Sequence, residues 1–201
     1  MNIVVLVSGG GTNLQALIDA EKAGRFTADD GHIAAVVSDR SGVYALKRAG
    51  AAGIPVFTEE GDKKLPKGER RKELSDRVLK IAVDYQAELI ILAGFLSILC
   101  GQILVEYQGR IINLHPALLP KYGGEGMYGS NVHEAVLAAG EKESGCTVHV
   151  VDAGTDTGPI LLQRKVPVLP GDTADSLAGR IHKEEHIAIV EAAAIMLGRL
   201  H

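Results

Sequence analysis

Strand-length apolar runs alternate with helical patterns along this chain, and that alternation constrains its fold more than any other feature. Strands separated by helical crossovers pair in parallel, so the pattern predicts an α/β protein: a Rossmann-like, three-layer fold with a mostly parallel central sheet. Ile3–Val7 reads as the first strand. Ser8-Gly9-Gly10-Gly11-Thr12-Asn13 follows it, and a helix opens near Leu14 with Leu14, Leu17 and Ile18 at core spacing. Further strands are expected at His32–Ser38, Pro55–Phe57, Glu88–Ala93, Ile111–Leu114, Cys146–Val151 and Leu161–Val166. Glu88–Ala93 is the most apolar and is expected at the sheet centre, covered on both faces. Helices are expected over Tyr44–Ala51, in a segment ending near Tyr85, and over Thr173–Leu200, with Glu59–Lys72 read as a charged loop. No linker, repeat or low-complexity tract interrupts the pattern, so residues 1–201 read as a single domain.

Composition narrows the function. Lys plus Arg number 21 against 25 Asp plus Glu, a net charge of -4. That balance lacks the basic excess by which proteins neutralise nucleic-acid phosphates. Aromatics are 4% with no Trp, which leaves little for base stacking. No nucleic-acid partner is therefore expected. Charged residues interrupt each apolar run before about 18 residues, so no membrane span is expected either. Cys100 and Cys146 form no CxxC pair and read as free thiols among apolar neighbours. With no secretory pattern at the N-terminus, a reducing cytoplasmic location is the expectation. Oligomeric state is not legible.

Three segments carry chemistry. The first is the Gly9–Asn13 loop, where a strand, glycines and a helix start bring unpaired backbone N–H groups to one point, a favourable place for phosphate. It is neither a dinucleotide fingerprint nor a P-loop, because Leu14 stands where a third glycine would and the lysine is missing. The second is Ile112-Asn113-Leu114-His115-Pro116. Asn113 and His115 lie two apart on a strand and so share a face, at the strand end where open α/β sheets hold ligands. Asn supplies a neutral donor and His a proton exchanger near neutral pH. The long loop Pro116–Ser130, rich in glycine and proline, follows directly. The third is Asp152–Pro159, an acidic turn whose two carboxylates read either as solvated turn formers or, for one of them, as a partner that points into the crevice and holds His115 in its charged form. His182-Lys183-Glu184-Glu185-His186 matches a zinc-protease spacing, but with little chain after it the segment reads as the polar face of the last helix, and no metal is expected.

SGGGTN at Ser8–Asn13, AGFLSIL at Ala93–Leu99, NLHPALLPKYGG at Asn113–Gly124 and the DTGP ending of Asp152–Pro159 together resemble the folate-dependent formyltransferases, over essentially the whole chain. Length and the first loop favour the branch that acts on glycinamide ribonucleotide over the tRNA and deformylase branches, whose additional domains have no room here. The resemblance implies a formyltransferase-type fold and transfer of a formyl group from 10-formyltetrahydrofolate, the co-substrate, to an amine, with the folate and the ribonucleotide as small-molecule partners. It implies catalytic roles for Asn113, His115 and Asp156. It assigns Gly11, Thr12, Asn13, His182, Lys183, Glu184 and Glu185 to the ribonucleotide. The folate side would fall to Arg71, Leu96, Ser97, Ile98, Leu99, Asn113, Asp152, Ala153, Gly154, Thr155 and Asp156. His149, on the strand leading to Asp156, would sit nearby as a supporting residue or else pack in the core. The chain departs from the family pattern at Ser97, where Arg is common, at Ala117 and Thr157, and in lacking an aromatic-Pro pair after His186.

Overall fold

The computed structural model describes residues 1–26 and 31–200. Its elements run β1 (Asn2–Val7), α1 (Thr12–Lys22), β2 (His32–Ser38), α2 (Tyr44–Ala51), β3 (Val56–Thr58), α3 (Lys67–Asp84) and β4 (Ala87–Leu92). They continue with α4 (Gln102–Glu106), β5 (Ile111–His115), α5 (Ser130–Ala138), β6 (Glu143–Val150), β7 (Ile160–Pro167) and α6 (Ala174–Leu200). The strands form one sheet in the order β3-β2-β1-β4-β5-β6-β7. Pairing is parallel from β3 to β5, and β6 and β7 join antiparallel at one side. The chain winds outward from β1 in one direction and from β4 in the other, so the switch point lies between them, where the carboxyl ends of the strands leave a crevice.

Period-two alternation divides each central strand between two cores. Ile3, Val5 and Val7 of β1 join a cluster with α1, α2 and α6, while Val4 and Leu6 join a second cluster with α3 and α4. β4 splits likewise, Leu89 and Ile91 to the first and Ile90 and Leu92 to the second. Both faces are covered, which is why these strands read as unbroken apolar runs. The three-layer, mostly parallel arrangement expected from the sequence is the one observed.

Two differences matter for the site. Helix α3 begins at Lys67, inside the stretch expected to be loop, because Pro66 sets the boundary in extended backbone at ψ 148 and the helix follows it. Helix α5, not anticipated, follows the glycine-rich loop and buries Val132, His133 and Val136. The start of α6 is held by a reciprocal cap: the Ser176 amide donates to Thr173 Oγ1 at 3.2 Å and the Thr173 amide to Ser176 Oγ at 2.9 Å.

Candidate active site

Asn113 and His115 share one face of β5, and β6 sets His149 opposite Asn113 and Thr147 opposite His115. Thr147 holds the start of the following loop by donating to the Ala117 carbonyl at 2.6 Å and accepting from the Leu119 amide at 3.0 Å. After β6 the chain turns back and delivers Asp156 to the same place. Its Oδ2 lies 3.5 Å from His115 Nδ1 and its Oδ1 lies 3.5 Å from His149 Nε2. Asp156 adopts φ 58, in the left-handed region that Asp tolerates better than most residues, and Tyr122 across the site adopts φ 57. Asp152 shapes the turn by accepting from the Gly154 amide at 3.0 Å and from Thr157 Oγ1 at 2.7 Å.

Backbone acceptors fix where the protons sit. His115 Nε2 lies 2.7 Å from the Tyr122 carbonyl and must donate to it, which leaves Nδ1 facing Asp156. His149 Nδ1 donates to the Val150 carbonyl at 3.0 Å, and its Nε2 lies 3.1 Å from Asn113 Nδ2 and 3.5 Å from Asp156 Oδ1. An Asn113 N–H reaches toward Asp156 Oδ1 at 3.4 Å, and the Gly124 amide donates to Asp156 Oδ2 at 2.9 Å. Burial pushes the His115 imidazole below its ordinary 6.5, outweighing the upward pull of Asp156. The expectation that the carboxylate keeps His115 charged is thus corrected: the ring is neutral at rest near pH 7. Burial also works to raise the Asp156 carboxyl, but the His149 ring, the Gly124 amide and His115 prevail and hold it below its ordinary 3.8.

A cavity of about 460 Å³ opens over this set. Of the residues expected from sequence, Asn13, Arg71, Leu96, Ser97, Ile98, Leu99, Asn113, His115, Asp152, Gly154, Thr155, Asp156, His182 and Glu185 line it. Ser8 Oγ accepts from the Leu96 amide at 2.8 Å and so ties the first loop to the 96–99 segment. Arg71 reaches Glu125 of the glycine-rich loop at 2.9 Å, and Lys67 pairs with the same carboxylate oxygen. Ser97 donates to Asp39 Oδ2 at 2.6 Å.

Five expected residues point elsewhere or stop short. Gly11 and Thr12 adjoin the cavity through Asn13 without lining it, at the open start of α1. Lys183 is exposed, and Glu184 accepts from Arg164 of β7 at 3.0 Å, because a helix shows only every third or fourth residue to one neighbour. Ala153 is also exposed and outside the lining. Glu185, by contrast, is only 4% exposed and occupies the buried stripe Leu177, Ile181, Glu185, Ala188. It accepts from His182 Nδ1 at 2.7 Å and from Asn13 Nδ2 at 3.3 Å. The cavity also takes in Lys67, Glu125 and His133, which the sequence reading did not single out. For His133 the signal was present in Val132 and Val136, four apart after Ser130. Cys146 is inert, its thiol pushed up to about 12 by burial. Among the described residues no group of three His, Cys, Asp or Glu side chains is placed to hold a metal ion.

A doubly wound α/β sheet with an amide, two imidazoles and a carboxylate converging at its carboxyl edge defines a class: α/β proteins equipped for proton transfer on a bound small molecule. Within that class the chain belongs to the formyl transferase family, whose profile matches residues 1–193. It is 46% identical over 197 residues to the trifunctional purine biosynthetic protein adenosine-3 of Drosophila melanogaster, covering 97% of this chain and 14% of that protein. It is 40% identical over 187 residues to the phosphoribosylglycinamide formyltransferase of Escherichia coli, covering 92% of this chain and 82% of that one. A glycinamide ribonucleotide transformylase from Symbiobacterium toebii has the same fold, with a TM-score of 0.89 at 38% identity over 99% of this chain and 88% of that one.

Proposed function

We propose that this chain transfers the formyl group of 10-formyltetrahydrofolate to the primary amine of glycinamide ribonucleotide, a step of purine biosynthesis, as one cytoplasmic domain with no nucleic-acid partner. The observation that carries the reading is the Asn113, His115 and Asp156 set converging on one cavity. Family membership and the names of the E. coli and Symbiobacterium relatives support it. The cavity suits both reactants. Leu92, Phe95 and Leu99 give one wall an apolar surface for a flat ring, and Arg71 with Lys67 offers cations for a carboxylate tail. The opposite wall carries Asn13, His182 and Glu185 beside the open N-terminus of α1, suited to a phosphorylated sugar.

The amine attacks the formyl carbon as a free base, so no protein nucleophile is needed. A tetrahedral carbon forms, with an oxyanion and a protonated attacking nitrogen. The long 3.4 Å contact between Asn113 Nδ2 and Asp156 is the one that gives way when that N–H turns to the oxyanion, while the 3.1 Å bond to His149 keeps the amide oriented. Neutral His115 takes the proton from the attacking nitrogen at Nδ1. The resulting imidazolium is stabilised by the Asp156 carboxylate 3.5 Å away. The same proton passes to N10 of the folate as the C–N10 bond breaks, leaving formylated ribonucleotide and tetrahydrofolate with His115 neutral again. His115 thereby acts as base and then acid, which a ring kept charged at rest could not do.

Incubation with 10-formyltetrahydrofolate, with and without glycinamide ribonucleotide, tests the reading. Formylated product should appear in step with folate loss, and free formate should form slowly without the ribonucleotide, since a closed site denies water the activated carbonyl. Rapid formate release indifferent to the ribonucleotide would assign the chain to hydrolysis instead.

A further inference from the structure

The wall opposite the folate side contains polar atoms that the protein itself leaves unpaired. His133 on α5 is 4% exposed and lines the cavity, yet its Nδ1 has no hydrogen-bond partner. Asn13 Oδ1, on the same cavity, is also buried without a partner. The same cavity is lined by the buried carboxylate of Glu185, which accepts from Asn13 and His182. Buried polar groups are paired in the great majority of cases, and leaving one unpaired is costly. Two such atoms and a buried carboxylate, from residues lining one cavity, make a surface completed by a polar ligand.

The order of the groups says which part of the ligand meets them. Asn13 belongs to the first turn of α1, next to the loop suited to phosphate, and touches Glu185. His133 lines the same cavity as Asn13, Glu185 and His115, the cavity that joins the phosphate loop to the reacting centre. Between the phosphate and the amine of the ribonucleotide lies its sugar. Burial pushes His133 below its ordinary 6.5, so the ring is neutral and offers one donor and one acceptor. A hydroxyl suits that pair of neighbours: its hydrogen goes to the Glu185 carboxylate, and its oxygen accepts from an imidazole N–H.

We propose that His133 is a further substrate-binding residue, which with Glu185 holds a sugar hydroxyl of the ribonucleotide and fixes the register of the amine against His115. The inference rests on the acceptor substrate given above. Calorimetric titration of the full chain with glycinamide ribonucleotide and its 2′-deoxy and 3′-deoxy analogues tests it, using wild type, His133→Ala and, to keep volume, His133→Gln. Wild type should bind one deoxy analogue about 10-fold more weakly than the parent. His133→Ala should bind the parent about 10-fold more weakly and lose little further with that analogue, because the contact is already gone. Both variants should keep the KM for 10-formyltetrahydrofolate, with KM for the ribonucleotide raised more than kcat is lowered. Wild-type affinity in both variants, or an equal further loss with the deoxy analogue in variant and wild type, overturns the role of His133. Failure of wild type to bind the ribonucleotide at all overturns the acceptor substrate, and this proposal with it.

Discussion

At the scale of single residues the site rests on backbone shapes that few side chains accept. Asp156 holds its carboxylate between two imidazoles from a left-handed backbone, a conformation that Asn shares with Asp. Asp156→Asn should therefore fold normally while losing the charge that supports the His115 imidazolium. His115→Ala removes the proton carrier itself. Each should lower kcat on the order of 100- to 1000-fold with a much smaller change in either KM, measured by steady-state assay on protein shown to be folded. Near-normal kcat in either would refute the assigned roles. The glycines of the first loop differ sharply from one another. A Cβ on Gly11, at φ 73, would lie 2.6 Å from the Ala45 Cβ of α2, whereas one on Gly10 meets nothing within 4 Å. Gly11→Ala should lower Tm on the order of 5 °C and Gly10→Ala by less than about 2 °C. Loss of ribonucleotide binding in Gly11→Ala therefore reports on α2 packing as well as on phosphate, and Asn13→Ala is the cleaner probe of this wall.

At the scale of elements, the loop between β5 and α5 joins the chemistry to the folate side. Tyr122 and Gly124 bind His115 and Asp156, and one residue later Glu125 occupies Arg71 and Lys67, the cations suited to a carboxylate tail. On the proposed reading, the folate tail would displace Glu125 to reach them. Such exposed pairs are weak and screened by salt, so Glu125→Gln should lower the KM for 10-formyltetrahydrofolate by up to about fivefold at low salt, with the gain fading at high salt. An unchanged or raised KM would mean that Arg71 and Lys67 do not meet the tail. This coupling was not legible in the sequence. The strands were, because both-face burial leaves continuous apolar runs such as Leu89–Leu92, and Asn113 and His115 stood out as polar residues ending one of them. Helix α5 was hidden behind glycines, and the pairing of Glu125 with residues 54 and 58 positions earlier is set by folding alone. Glu185 looked like part of a polar face, although its four-residue spacing from Ile181 already put a carboxylate into the buried stripe.

At the scale of the whole molecule, the histidines make stability depend on pH in a direction that can be worked out. Burial pushes His115, His133 and His186 below 6.5, while the hydrogen bond to Glu185 raises His182. In the unfolded chain all four take up a proton near 6.5. For the three lowered groups the folded state refuses that proton, so their contribution is complete above about pH 6.5 and declines as pH falls toward their folded values. His182 does the reverse: its contribution is present below 6.5 and is lost as pH rises through its folded value. Well below 6.5 His182 carries its proton in both states, so the three lowered groups leave the unfolded state binding up to about three more protons, and stability falls as pH drops there. Asp156 does not enter this window, since its folded value lies below 3.8. Tm should be nearly level from pH 7 to 8 and fall steadily below 6.5, and His133→Gln should flatten the fall by removing one of the three lowered groups. A Tm unchanged between pH 8 and 5 would contradict neutral, buried imidazoles at this site, and with them the starting state required for His115 to act first as a base.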